Sequence, residues 1–511
     1  MSPEILNLGA VINSDSPRDR LAFIGLDVQL SESRYTYAQL DELANGIALG
    51  LAARGFPQGT RVALLAYNSV EAIAAVLGIM RAGLVAVPVN HRFPNALIDY
   101  VIADSGAQLL FCDAAHEGAV SQIPQVSLEP AALQGFLGAG AFEAFEPRAD
   151  EPAMMLYTSG STGKPKGVVL SHAAHLWVVR TRLQATAPAD ERALIAAPLY
   201  HMNALALALL VLASGATAVL LAQFSAATYI EAIQRYRCTW LTAVPPMIAM
   251  MLREKALVQR ADLSSVAVVR MGSAPVSASL LEQIHRLLPN AKVINAYGTT
   301  EGGPVVFGPH PQGLPSPPLS VGHAHPAVQI RLRDEQGALG DEGVLELKSP
   351  GLMSGYHNRP DLVAPFTHDG FYVTGDVFRR DAAGFHTFVG RRDDMFVSGG
   401  ENIYPGEIEK LLERHPAVQQ ACVVPIEDDI KGFKPVAFVV RRDGHRASEA
   451  EIKAFTLEHA PAYQHPRRVW FVQTLPLAST NKIDRRALLD QARRNLQDSG
   501  RTTGAPDSLI L

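Results

Sequence analysis

The chain has 511 residues, more than one compact core usually holds, so at least two domains are expected. Hydrophobic residues make up 48% and charged residues 19%, the balance of a folded globular protein rather than a disordered one. With 45 Lys plus Arg against 50 Asp plus Glu, the net charge of −5 lacks the overall signature of a nucleic-acid binder, and no nucleic-acid motif is present.

In chain order, Met1-Ser2-Pro3-Glu4 shows no basic stretch ahead of an apolar run, so a secretory signal is not expected. Cys112, Cys238 and Cys422 are far apart and odd in number. They offer neither metal spacing nor a disulfide framework and fit a reducing, cytoplasmic compartment. Residues 61–66, 69–82 and 85–89 read as strand, helix and strand, a parallel βαβ unit, and similar units run through 216–244 and 266–296. Residues 204–222 carry no charge and are long enough for a membrane span. Ser214-Gly215 divides them, however, so a buried helix, a turn and a central strand are the better reading. Residues 309–319 read as a Pro/Gly/Ser loop, and 328–348 as short strands of a small β-barrel. A change near Gly390-Arg391-Arg392-Asp393 starts a separate unit. The expected fold is therefore α/β: a large domain over 1–392, a smaller α/β domain over 393–495 and a flexible tail over 496–511.

The densest chemical signal is Tyr157-Thr158-Ser159-Gly160-Ser161-Thr162-Gly163-Lys164-Pro165-Lys166-Gly167, which follows an apolar strand. Its glycines free the backbone to present N–H groups, while hydroxyls and lysines complement phosphate. Pro165 after Lys164 excludes the GxxxxGK[ST] spacing. A flexible turn would explain such a loop alone. Further motifs follow in order: Pro198-Leu199-Tyr200-His201-Met202-Asn203, Asn295-Ala296-Tyr297-Gly298-Thr299-Thr300-Glu301, Thr374-Gly375-Asp376, Gly390-Arg391-Arg392-Asp393-Asp394, Ser398-Gly399-Gly400-Glu401-Asn402 and Asn481-Lys482-Ile483. From about Tyr35 to Leu488 this set resembles the AMP-forming acyl-CoA synthetase superfamily, which includes peptide-synthetase adenylation domains and firefly luciferase.

The resemblance implies ATP, Mg²⁺ and coenzyme A as cofactors and a small carboxylic acid as substrate. Thr158 to Lys166, including Ser159, Gly160, Ser161, Thr162 and Gly163, would hold the β- and γ-phosphates. Gly272, Ser273 and Ala274, with Asn295, Ala296, Tyr297, Gly298 and Thr299, would frame the adenine, Tyr297 stacking on it. Thr300 would face the α-phosphate, Glu301 would place Mg²⁺, and Asp376 and Arg391 would bind the ribose. Lys482 would bridge the acid and the α-phosphate, although taken alone it reads as a solvated surface lysine. Many members have Gly before this lysine. Asn481 stands there instead, as in the chlorobenzoate-type branch.

Two half-reactions need two environments, and the resemblance implies that the small domain is mobile and rotates about Asp393 between them, withdrawing Lys482 and bringing Ser398, Gly399 and Gly400 to a pantetheine passage. A ligand-free hairpin turn explains Gly399-Gly400 equally well. Lys431, Phe433 and Lys434 lie where the family meets the CoA nucleotide, or on a plain exposed loop. His201 would gate the acyl pocket rather than act as a base, because a carboxylate is already ionised at neutral pH. Alignment by eye gives Trp177, Arg180, Met202, Asn203, Thr242, Met271 and Gly272 as pocket walls. Arg180 either pairs with a second carboxylate on the substrate or faces solvent. A stand-alone enzyme loading a carrier protein's phosphopantetheine is the alternative function; a catalytically silent nucleotide sensor is opposed by Lys482, Glu301, Asp376 and Arg391. No membrane span is expected, and either a monomer or a homodimer fits.

Overall fold

The computed structural model describes residues 6–12, 15–158, 164–185, 191–359, 365–398, 401–428, 432–478 and 482–501. Two seven-stranded sheets built largely from parallel strands form the body of the large domain. In the first the order is Lys292–Asn295, Val268–Met271, Trp240–Ala243, Arg192–Ile195, Thr217–Leu221, Leu21–Leu26 and Glu32–Thr36, all parallel but for the last pair. The second runs Gly355–Tyr356, Lys166–Ser171, Pro152–Thr158, Val85–Pro88, Arg61–Leu65, Leu109–Cys112 and Gln125–Ser127.

The helix Val70–Arg81 connects Arg61–Leu65 to its parallel neighbour Val85–Pro88, as the βαβ pattern predicts. All twelve of its residues are buried, which its nearly uninterrupted apolar sequence requires. At Gly78 a Cβ would lie 2.8 Å from the Ala44 carbonyl oxygen, so glycine lets this helix meet Tyr37–Ala52 at close range. Ser69 caps it by accepting from the Ala72 N–H. The uncharged stretch becomes the buried helix Met202–Ser214, a left-handed turn at Gly215 and the buried strand Thr217–Leu221. Among the described residues no helix is long and apolar enough to cross a membrane.

The unit expected over 216–244 has its strands and helix, but Thr217–Leu221 and Trp240–Ala243 are not neighbours, because Arg192–Ile195 lies between them. The expected small barrel takes the form of seven antiparallel strands in open order, from Phe307–Gly308 to Leu339–Gly340. Both end strands are two residues long, too short to seam together. After the helical turn Arg392–Asp394 the small domain builds its own five-stranded sheet, with helices Pro405–Leu412, Glu449–His459 and Arg485–Arg501. Its core is formed by separate apolar clusters around Val423, Val439 and Phe438. Cys112, Cys238 and Cys422 are buried free thiols.

Candidate active site

Ligands of open α/β sheets bind beyond the carboxyl ends of the parallel strands. Here Val268–Met271 and Lys292–Asn295 pair in register, Met271 opposite Asn295, so the segments that follow them emerge side by side. Gly272 packs against Ala296, where a Cβ would come 3.1 Å from its carbonyl oxygen, and Ser273 takes a left-handed φ of 65°. The Asn295 amide donates to the Leu319 carbonyl at 2.9 Å, and the Thr299 hydroxyl accepts from the Gly302 N–H at 2.7 Å. These turns form one wall of a cavity of about 1080 Å³.

A second wall comes from the antiparallel sheet. Tyr372–Arg380 and Phe385–Arg391 place Asp376 and Arg391 directly opposite each other, and their side chains meet at 3.1 Å. The Tyr297 hydroxyl donates to the other Asp376 oxygen at 2.5 Å, and its ring stands edge-on to Phe378, centroids 4.8 Å apart. Burial raises the Asp376 carboxyl, against the pull of Arg391 and Tyr297.

The third wall is the hairpin Pro152–Thr158 and Lys166–Ser171. It sets Thr158 opposite Lys166 at the mouth of the glycine-rich loop. Ser159, Gly160, Ser161, Thr162 and Gly163 lie outside the described residues. The Thr158 hydroxyl is buried and has no hydrogen-bond partner among the described residues. The Lys166 ammonium lies 4.5 Å from the Tyr356 ring centroid and 3.5 Å from its hydroxyl, which in turn donates to Glu301 at 3.0 Å. Tyr356 thus couples the loop lysine to the acidic residue of the Tyr-Gly-Thr-Thr-Glu motif.

Lys482 enters this space from the small domain. It stands open to the cavity yet enclosed by both domains, and that enclosure lowers its ammonium, with Asp376 and Glu301 opposing and Arg391 adding to the effect. His201 stands at the N-cap position of the helix Met202–Ser214 without a side-chain capping bond. Burial, with the positive charges of Lys482 and Arg92 and with His91, pushes its imidazole down to about 3, so it is neutral at physiological pH. Its ring belongs to an edge-to-face chain, Tyr67, His91, Tyr200 and His201, at centroid spacings of 4.9, 5.3 and 4.6 Å.

The cavity wall thus brings together Thr158, Lys166, His201, Met202, Asn203, Gly272 to Ala274, Asn295 to Glu301, Asp376, Arg391, Asp393 and Lys482. Four expected acyl-pocket residues do not reach it. Arg180 is exposed on the helix His172–Ala185, and Trp177 packs against Gly351 and His325. Thr242 and Met271 are buried within their strands, Met271 on the opposite face to its neighbour Arg270. Ser398 is buried in a hairpin away from the wall, while Gly399, Gly400, Lys431 and Asn481 lie outside the described residues. Lys434 is paired with Asp428 at 2.7 Å, which leaves it less available to a nucleotide phosphate, and Phe433 is exposed. Sequence reading missed Tyr356 and Arg270. No motif marks Tyr356, but a charge inside the apolar strand Val268–Met271 was a usable signal for Arg270.

Comparison with known proteins bears on the same residues. Residues 12–357 match the family model described as AMP-binding enzyme, and 407–482 the AMP-binding enzyme C-terminal domain. The chain belongs to the AMP-binding enzyme family. It is 33% identical over 460 residues to a feruloyl-CoA synthase of Amycolatopsis sp, covering 88% of this chain and 92% of that protein. Identity to an indoleacetate–CoA ligase of Aromatoleum aromaticum is 30% over 480 residues, covering 89% and 93%. The solved ATP-bound MatB from Rhodopseudomonas palustris superposes with a TM-score of 0.85 at 28% identity, covering 96% of this chain and 99% of that one. Taken with these acid–CoA ligase relatives, family membership makes the protein an enzyme, an ATP-dependent acid–CoA ligase that forms an acyl-adenylate and then a CoA thioester.

Proposed function

We propose that Lys482, carried by the small domain, drives the adenylation half-reaction in the cavity between the domains. The supporting observation is convergence: Lys482 shares one space with Glu301, Asp376, Arg391 and His201, which come from four separate stretches of the large domain. An acid carboxylate attacking the α-phosphorus of ATP brings two anions together, and a preorganised ammonium offsets that repulsion where charge develops. Thr158 and Lys166 hold the outer phosphates. The turns at Gly272–Ala274 and Asn295–Thr299 frame the base, Thr300 faces the α-phosphate, and Asp376 with Arg391 takes the ribose hydroxyls. Neutral His201 moves as a gate and transfers no proton.

Glu301 and the Thr158 hydroxyl, which has no hydrogen-bond partner among the described residues, supply hard oxygen donors that suit Mg²⁺. Among the described residues no cluster of three His, Cys, Asp or Glu side chains forms a metal cage. That fits an ion held mainly by substrate phosphates and water. When bound, Mg²⁺ neutralises phosphate charge. For the second half-reaction the small domain pivots near Asp393, removing Lys482 and admitting the CoA thiol.

Lys482→Ala tests this reading. A unit charge acting over ~4 Å at an effective dielectric near 20 is worth roughly 4 kcal/mol, or about 10³-fold in rate. ATP–pyrophosphate exchange should fall by about that factor, while thioester formation from supplied acyl-adenylate stays within a few-fold. Exchange at the wild-type rate would overturn the assignment.

A further inference from the structure

Arg270 is the one charged residue of the strand Val268–Met271. Register sets it opposite Thr242, and alternation places Trp240 and Thr242 on the same face. Its side chain reaches the cavity wall, where Nη2 donates to the Pro304 carbonyl at 3.4 Å, a long contact. Burial pushes the guanidinium down to about 10, and among the described residues no carboxylate is near enough to offset it. Behind it, Arg182 of the helix His172–Ala185 is 8% exposed, its guanidinium 6.0 Å from the Trp240 ring centroid. Burial and the like charge of Arg270 push Arg182 well below its ordinary range. The Trp240 indole N–H and the Thr242 hydroxyl are buried, with no hydrogen-bond partner among the described residues.

Of these groups Arg270 meets the cavity, while Arg182, Trp240 and Thr242 stay buried behind it. A half-buried guanidinium that lines a cavity, with no carboxylate partner among the described residues, is a site for an incoming anion. We propose, building on the ligase reading above, that the acid substrate carries a second anionic oxygen group, a carboxylate or a sulfonate, which Arg270 binds at the floor of the acyl cavity. A guanidinium suits this role because its planar fork grips two oxygens at once. Pro304 follows Glu301 by three residues, at most ~10 Å of chain, so the anion site and the phosphate-facing end lie close. A compact doubly charged acid spans that gap; a long alkyl chain would bury methylenes against a charge. Arg270 thus takes the role that was one of the two sequence readings of Arg180, whose exposure fits the other, a solvent-facing arginine.

The test measures AMP formation by the full-length enzyme with ATP and CoA. Acids of equal carbon number are compared in three arms: monocarboxylic, dicarboxylic and terminally sulfonated. Wild type should favour one doubly charged arm over the monocarboxylic arm by at least ~10-fold in kcat/KM, and the two charged arms distinguish carboxylate from sulfonate. Arg270→Gln should reduce that ratio by about 10- to 100-fold, the usual worth of a charged hydrogen-bonded contact, mainly through KM. Should Arg270→Gln melt below the assay temperature, Arg270→Lys decides. It keeps the charge but loses the fork, and should lower the ratio several-fold. A wild-type preference for monocarboxylic acids, or a ratio unmoved by either variant, overturns the assignment while AMP formation leaves the ligase reading intact. No AMP from any arm would bring down the ligase reading itself.

Discussion

Tyr356→Phe isolates a single hydroxyl at the centre of the site. The phenol donates to Glu301 at 3.0 Å and lies 3.5 Å from the Lys166 ammonium, whereas the ring beneath Lys166, 4.5 Å from it, survives the substitution. Any effect therefore comes from the lost hydroxyl, which donates to Glu301 and accepts from Lys166, and not from lost packing or cation–π attraction. A hydrogen bond to a charged group is worth roughly 1.5–3 kcal/mol, about 10- to 150-fold in rate. ATP–pyrophosphate exchange should fall within that range at fixed Mg²⁺. The Mg²⁺ concentration for half-maximal exchange should rise, because Glu301 is no longer held in place. Thermal stability should change little, the ring being kept. If exchange stays within about two-fold of wild type and the Mg²⁺ dependence is unmoved, the coupling of Lys166 to Glu301 through Tyr356 has no catalytic weight.

Other expectations concern stability. Arg485 grips Glu409 with two bonds, 2.6 and 2.8 Å, and also donates to the Val423 carbonyl at 2.9 Å. Arg485→Met strands a buried carboxylate and should destabilise the small domain by roughly 3 kcal/mol or more in urea titrations, with Glu409→Gln restoring part of the loss. His172 and His175 are almost fully buried, and burial pushes each down to about 4. The unfolded chain takes up protons near pH 6.5 and the folded one only near 4, so the stability present above 6.5 is lost as pH falls between those values. Each histidine contributes on the order of 3 kcal/mol to that loss across the window. His175→Gln should flatten the dependence of the urea midpoint on pH over this window, and an unchanged slope would refute the assignment.

The fold was readable where local pattern and tertiary role agree. Residues 61–89 alternate strand and helix because each run is apolar enough to bury itself, and Gly215 interrupts the one segment long enough to suggest a membrane. Strand order was not readable: nothing local says that Arg192–Ile195 inserts between two strands that follow it in the chain. Most of the motif residues that line the cavity were legible because they sit in short, Gly-containing motifs. The rest of its wall was not, because its members come one at a time from unrelated elements and face it only through strand parity and helix phase. Arg180 and Arg182 differ by two positions on one helix, yet one is exposed and the other buried behind the floor of the cavity. Tyr356 lies on a two-residue strand whose importance comes only from pairing with Lys166–Ser171.

The seam between the domains mixes polar bonds with one apolar contact, Tyr404 packing against Val344, Val377 and Val389. Arg442 donates to Ser279 at 2.8 Å, Lys255 pairs with Asp443, and Lys410 donates to the Phe388 carbonyl, while the apolar clusters around Val423 and Phe438 stop short of the large domain's core. The polar share of such a boundary parts and re-forms in water at little cost, because a bond released is replaced by one to solvent. For the pivot proposed near Asp393, an exposed pair such as Lys255–Asp443 is a restraint that added salt weakens, a mechanical control on the domains independent of any change in the reactive groups.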